Sequence, residues 1–86
     1  MNKILIIEDD IEINTLLADF LRENGYAVHC QYDGLHVLDF LNKEKIDLII
    51  LDIMLPYRSG DIILSDVRKK FTIPVIIISA KETTQN

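Results

Sequence analysis

Glu8, Asp9 and Asp52 are the residues of this chain best placed to do chemistry. Glu8 and Asp9 close the apolar run Ile4-Leu5-Ile6-Ile7, and Asp52 closes a second run, Leu48-Ile49-Ile50-Leu51. Each run reads as a parallel strand buried on both faces and ending in acid. If the two strands are neighbours, their carboxyl ends share one crevice, the general ligand position of open α/β sheets. Carboxylates gathered that closely repel one another and need a cation. An all-oxygen donor set favours a hard ion such as Mg²⁺. A carboxylate beside such an ion can attack phosphorus, because the ion neutralises both the nucleophile and the phosphoryl oxygens. Asp52, expected to face solvent at its strand end, is the candidate nucleophile. Ser79 and Ala80 close a further apolar run, Val75-Ile76-Ile77-Ile78. The Ser79 hydroxyl could donate to a phosphoryl oxygen, and the small Ala80 would leave the backbone N–H accessible.

Blander roles compete at each position. Asp10 is the natural N-cap of a following helix, where acids also suit the positive helix end. Capping does not need three acids in a row, the first two abutting a buried strand. Asp52 or Ser79 alone could be a turn residue. His29 and His36 have no partner at ligand spacing and read as surface or packing residues. Cys30, in a strand-like run, reads as core. Neither a P-loop nor a dinucleotide-binding glycine pattern occurs, and no Gly-x-Ser-x-Gly suggests acyl transfer.

Strands and helices alternate along the chain. Strand one is expected at Lys3–Ile7, then a helix from about Asp10 to Asn24 with Ile13, Leu16, Leu17, Phe20 and Leu21 on its inward face. Gly25 can end that helix in a left-handed cap. Strand two is expected over Tyr26–Cys30, and a second helix over Leu35–Asn42 with Val37, Leu38 and Leu41 inward. Strand three is expected over Asp47–Leu51. Pro56 and Gly60 bracket a loop. A third helix over Asp61–Lys70 buries Ile63, Leu64 and Val67, and strand four is Val75–Ile78. Arg68, Lys69 and Lys70 end the third helix, where cations favour its dipole. Ser79 to Asn86 reads as a loop or the start of a helix. Such alternation means right-handed βαβ units and a doubly wound parallel sheet. Strand two is less apolar than the rest, which suits an edge. An order of 2-1-3-4 then sets strands one and three side by side with the carboxylates at the switch point.

Composition narrows the class. The 86 residues suffice for one domain, 1–86, and 49% hydrophobic residues make it globular. A net charge of −5 spread along the chain argues against direct binding of nucleic acid or membrane. A single cysteine excludes an internal disulfide and a multi-cysteine zinc site. The N-terminal apolar run is too short for a signal peptide or membrane span, so a cytoplasmic protein is expected.

Three stretches together resemble the receiver domain of two-component response regulators. They are Ile7-Glu8-Asp9-Asp10, Leu51-Asp52-Ile53-Met54-Leu55-Pro56 with Gly60 following, and Pro74-Val75-Ile76-Ile77-Ile78 ending in Ser79-Ala80. The resemblance covers the whole chain. The Asp52 run looks most like receivers of the OmpR/PhoB type, which carry a C-terminal DNA-binding domain. The resemblance implies a flavodoxin/CheY-like fold. It makes Asp52 the phosphoacceptor, fed by a sensor histidine kinase. It has Glu8 and Asp9 hold Mg²⁺ with Asp52 and the Met54 carbonyl, and it gives phosphoryl binding to Ser79 and Ala80. The molecule would be a switch rather than an enzyme, reaching DNA only through an effector domain.

Against the family pattern, the fourth helix, fifth strand and fifth helix are expected to be missing. With them go the lysine that contacts the phosphoryl group and the aromatic residue coupled to Ser79. Lys81 follows strand four, whereas the family lysine ends strand five. An apolar strand four left as an edge invites a homodimer through that edge, or exchange of the C-terminal segment. Two rival functions compete with this reading. A Mg²⁺-dependent aspartyl-phosphate phosphatase often has a second aspartate two residues after the nucleophile, where this chain has Met54. A purely structural assembly module would not bind Mg²⁺.

Overall fold

The computed structural model describes residues 2–78; Ser79, Ala80 and the segment to Asn86 lie outside the described residues. Seven elements alternate: β1 (Lys3–Ile7), α1 (Ile11–Glu23), β2 (Ala27–Gln31), α2 (Val37–Lys43), β3 (Leu48–Asp52), α3 (Gly60–Lys70) and β4 (Val75–Ile78). The strands form one sheet in the order β2-β1-β3-β4. Every pairing is parallel, as short strands joined through helices require. The fold is the doubly wound, flavodoxin/CheY-like arrangement expected from the sequence, with four strands among the described residues. β1 and β4 have the expected bounds, and the polar β2 lies at an edge.

Helices on both faces bury the central strands. Leu5, Ile7, Ile49 and Leu51 pack against Val37, Leu41, Ile63 and Val67 beneath α2 and α3. Ile4, Ile6, Val28 and Ile50 pack against Ala18 beneath α1. Because side chains alternate across a strand, β1 and β3 supply both cores, which accounts for their unbroken apolar runs. Cys30 is half-buried at the edge of the α1 core, and the His29 ring packs edge-on against Phe40 at 5.1 Å.

The inward face of α1 differs from expectation. Asn14 and Ala18 are its buried residues, whereas Leu16 is 74% and Phe20 63% exposed. The small Ala18 lets the helix approach the sheet closely, and Leu17 and Leu21 flank that contact. Leu16 and Phe20 are thereby turned away from it. The helix ends are as expected. Asp10 caps α1 by accepting from the Ile13 amide at 3.1 Å. Gly25, at φ +94°, closes it, with its amide on Arg22 and that of Tyr26 on Leu21 (3.1 Å each). This is a Schellman closure.

Candidate functional site

β1 and β3 are hydrogen-bonded neighbours in register from Ile4–Leu48 to Ile7–Leu51. Glu8 and Asp52 therefore stand side by side at the end of these two strands. One carboxylate oxygen from each of Glu8, Asp9 and Asp52 lies within 4.8 Å of the others. Glu8 and Asp52 have no exposed surface, and Asp9 is half-buried. Asp10 is exposed and serves the helix cap instead.

The expectation that Asp52 faces solvent is overturned. β3 runs to Asp52 rather than stopping at Leu51, because Asp52 is still paired in the ladder with Ile78. The next amide, Ile53, donates to the Ile78 carbonyl at 3.2 Å. The carboxylate is thus held one residue deeper in the crevice than a strand ending at Leu51 would leave it. The Met54 amide donates to Asp52 Oδ1 at 3.1 Å, turning the chain immediately after the strand. Gly60 closes the same loop, its amide on the Ile53 carbonyl at 2.9 Å. A Cβ at Gly60 would stand 2.6 Å from Ile53 Cα and 2.7 Å from the Asp52 carbonyl. Only glycine lets the start of α3 approach the backbone this closely.

Glu8 is under electrostatic stress. Its Oε2 accepts from the Asp10 amide at 2.9 Å, while Oε1 is buried with no hydrogen-bond partner. Burial, reinforced by the carboxylates of Asp52 and Asp9, pushes its pKa up to about 7, against the lowering effect of the Asp10 amide. A divalent cation would relieve both the orphaned oxygen and the crowded charge, so the donor set fits a hard ion. Two surface grooves among the described residues lie elsewhere. One is lined by Leu38, Arg58, Ile63 and Asp66 among others, the second by His36, Phe40 and Lys43, and neither includes the carboxylates.

Sequence reasoning missed Asn14. It is fully buried, and its Nδ2 donates to the carbonyls of Glu8 (3.0 Å) and Gln31 (3.1 Å). The available signal was a polar residue one turn before Ala18 on a helix otherwise rich in leucine. Sequence reasoning also missed the backbone of Tyr57, at φ +68°, around which the Arg58 amide reaches the Pro56 carbonyl at 2.7 Å. That is a γ-turn of the rare strained hand.

A family model described as the response regulator receiver domain matches residues 4–86. Among solved structures, the BeF₃-activated N-terminal receiver domain of Klebsiella pneumoniae RstA is 33% identical. The match covers 95% of this chain and 70% of that one, with a TM-score of 0.88. The Thermotoga maritima response regulator TrrA, in complex with Mg²⁺-BeF, is 34% identical over 92% of this chain and 68% of its own, with a TM-score of 0.80. The complex of histidine kinase ThkA with TrrA matches at 31% identity over 100% of this chain and 75% of the other, with a TM-score of 0.86.

Proposed function

The chain belongs to the response regulator receiver domain family of two-component systems, and from that premise we propose that Asp52 accepts a phosphoryl group from the phosphohistidine of a sensor histidine kinase. The observation that carries this is the meeting of Glu8, Asp9 and Asp52 oxygens within 4.8 Å at the ends of adjacent strands. An Asp52 carboxylate oxygen forms the new bond to phosphorus. The P–N bond breaks, its electron pair returns to the imidazole, and Asp52 carries an acyl phosphate. Glu8, Asp9 and Asp52, with the Met54 carbonyl, are the residues to hold Mg²⁺, which when bound neutralises charge on the phosphoryl oxygens. The orphaned Glu8 Oε1 and the Mg²⁺-BeF complex of TrrA support that assignment. Ser79 and Ala80 follow β4 directly in sequence and are assigned to phosphoryl binding.

A kinase partner is supported by the ThkA–TrrA complex. No helix among the described residues is long and apolar enough to cross a membrane. We assign the protein to the cytoplasm, where a thiol such as Cys30 stays reduced. In a longer parent it would govern a DNA-binding output domain of the OmpR/PhoB type, a reading supported by the Leu51–Pro56 run. β4 is an edge among the described residues, with Ile76 and Ile77 50% and 42% exposed. Antiparallel pairing of two such edges about a two-fold axis would make a homodimer, and exchange of the C-terminal segment is the other route. The phosphatase reading has no general acid at Met54.

A small phosphodonor with Mg²⁺, read by mass spectrometry, tests the assignment. One alkali-labile adduct is expected in a longer parent and little in the 86-residue chain, with none in either carrying Asp52→Asn. An adduct surviving that substitution overturns it, as does equal Mg²⁺ affinity in Asp9→Asn and the parent chain.

A further inference from the structure

We propose that Asn14 is a positioning residue of the carboxylate site: its side-chain amide holds the peptide carrying Glu8 and Asp9, and so sets the affinity of the site for its cation. The inference rests on the reading of Glu8, Asp9 and Asp52 as cation ligands. The β1–β2 ladder ends with the pair Ile7–Gln31, followed by one last bond from the Glu8 amide to the Gln31 carbonyl at 3.0 Å. The β1–β3 ladder ends at Ile7–Leu51. The Glu8 carbonyl, one step further on, has left both ladders. Asn14 supplies its donor at 3.0 Å, and the same NH₂ group bonds Gln31 at 3.1 Å.

Both neighbours are carbonyls, which only accept, so the amide must present its nitrogen to them. Its Oδ1 is then left buried without a partner. A helical asparagine with an orphaned buried oxygen costs stability that an apolar residue beside Ala18, Leu17 and Leu21 would not. What the residue provides in return is local. It ties the first turn of α1 to the ends of two strands, at the peptide joining Glu8 to Asp9. Glu8 is held at its side chain as well, through the Asp10 amide at 2.9 Å. With that peptide fixed, two of the three carboxylates start from a set geometry.

The test is Mg²⁺ titration calorimetry on the folded 86-residue chain. It compares the parent with Asn14→Leu, Asn14→Ser and Ala18→Gly. Asn14→Leu should lower Mg²⁺ affinity by about tenfold or more, the usual loss when a group that orients metal ligands is removed. Asn14→Ser, too short to span both carbonyls, should also weaken binding, and it carries the test if the leucine variant does not fold. Ala18→Gly lies one turn along the same buried face and destabilises the helix without touching either carbonyl. It should leave affinity unchanged. Parent-like affinity in either Asn14 variant overturns the inference, as does an equal loss in Ala18→Gly. No Mg²⁺ binding by the parent chain overturns the functional reading itself and this inference with it.

Discussion

Replacing Glu8 by glutamine should stabilise the metal-free protein above neutral pH and remove its response to Mg²⁺. The cause is the rise of the Glu8 pKa from 4.5 to about 7 on folding, through burial and the adjoining Asp52 and Asp9 carboxylates. Between those values the folded chain keeps a proton that the unfolded chain has released. Stability from this group is therefore complete below pH 4.5 and is lost as pH rises through about 7. At about 1.4 kcal/mol per pH unit, the rise corresponds to about 3 kcal/mol. Glutamine keeps an oxygen for the Asp10 amide and has no charge to strand, so this slope should vanish. The assay is urea unfolding by far-UV circular dichroism, with a chelator present, from about pH 4 to about pH 8, the range that brackets the transition. Over it the Glu8→Gln chain should gain up to about 3 kcal/mol relative to the parent. Comparing the two chains cancels the shared groups that do not interact with Glu8. Mg²⁺ at a hundred times its Kd and about pH 8 should return about 2.7 kcal/mol to the parent and far less to the variant. A difference between the two chains that stays constant with pH would refute the reasoning.

Other perturbations test the loop and the edge. Gly60→Ala places a Cβ 2.6 Å from Ile53 Cα, so backbone must move; a cost of roughly 1–3 kcal/mol is expected from the urea midpoint. Tyr57→Gly relieves φ +68° at a side chain 85% exposed. The strain released exceeds the entropy of glycine, so a gain of about 1 kcal/mol is expected in thermal unfolding. Sedimentation at micromolar protein should give a dimer. A stable monomer whose Val75–Ile78 amides resist hydrogen exchange would remove the edge-pairing proposal.

Much of the frame was legible because burial leaves a direct mark on sequence. β1 and β3 lie between two helical layers, so every residue in their runs had to be apolar, and acid could appear only where the sheet ended. That contrast located Glu8, Asp9 and Asp52, and the weaker run of β2 located an edge. Periodicity of α1 was less informative. Ile13, Leu16, Leu17, Phe20 and Leu21 share a broad arc, and nothing local says which side of it meets the sheet. The close approach at Ala18 and the two carbonyls met by Asn14 decided that, and they come from β1 and β2, not from the helix. The depth of Asp52 likewise depended on a tertiary pairing with Ile78, which the composition of β3 alone does not encode. The raised pKa of Glu8 has the same origin, since it needs the acids of two strand ends brought together where Glu8 is buried. Sequence named the groups able to do the chemistry; the ladder between β1, β3 and β4 set how deeply they are buried and how strongly they oppose one another.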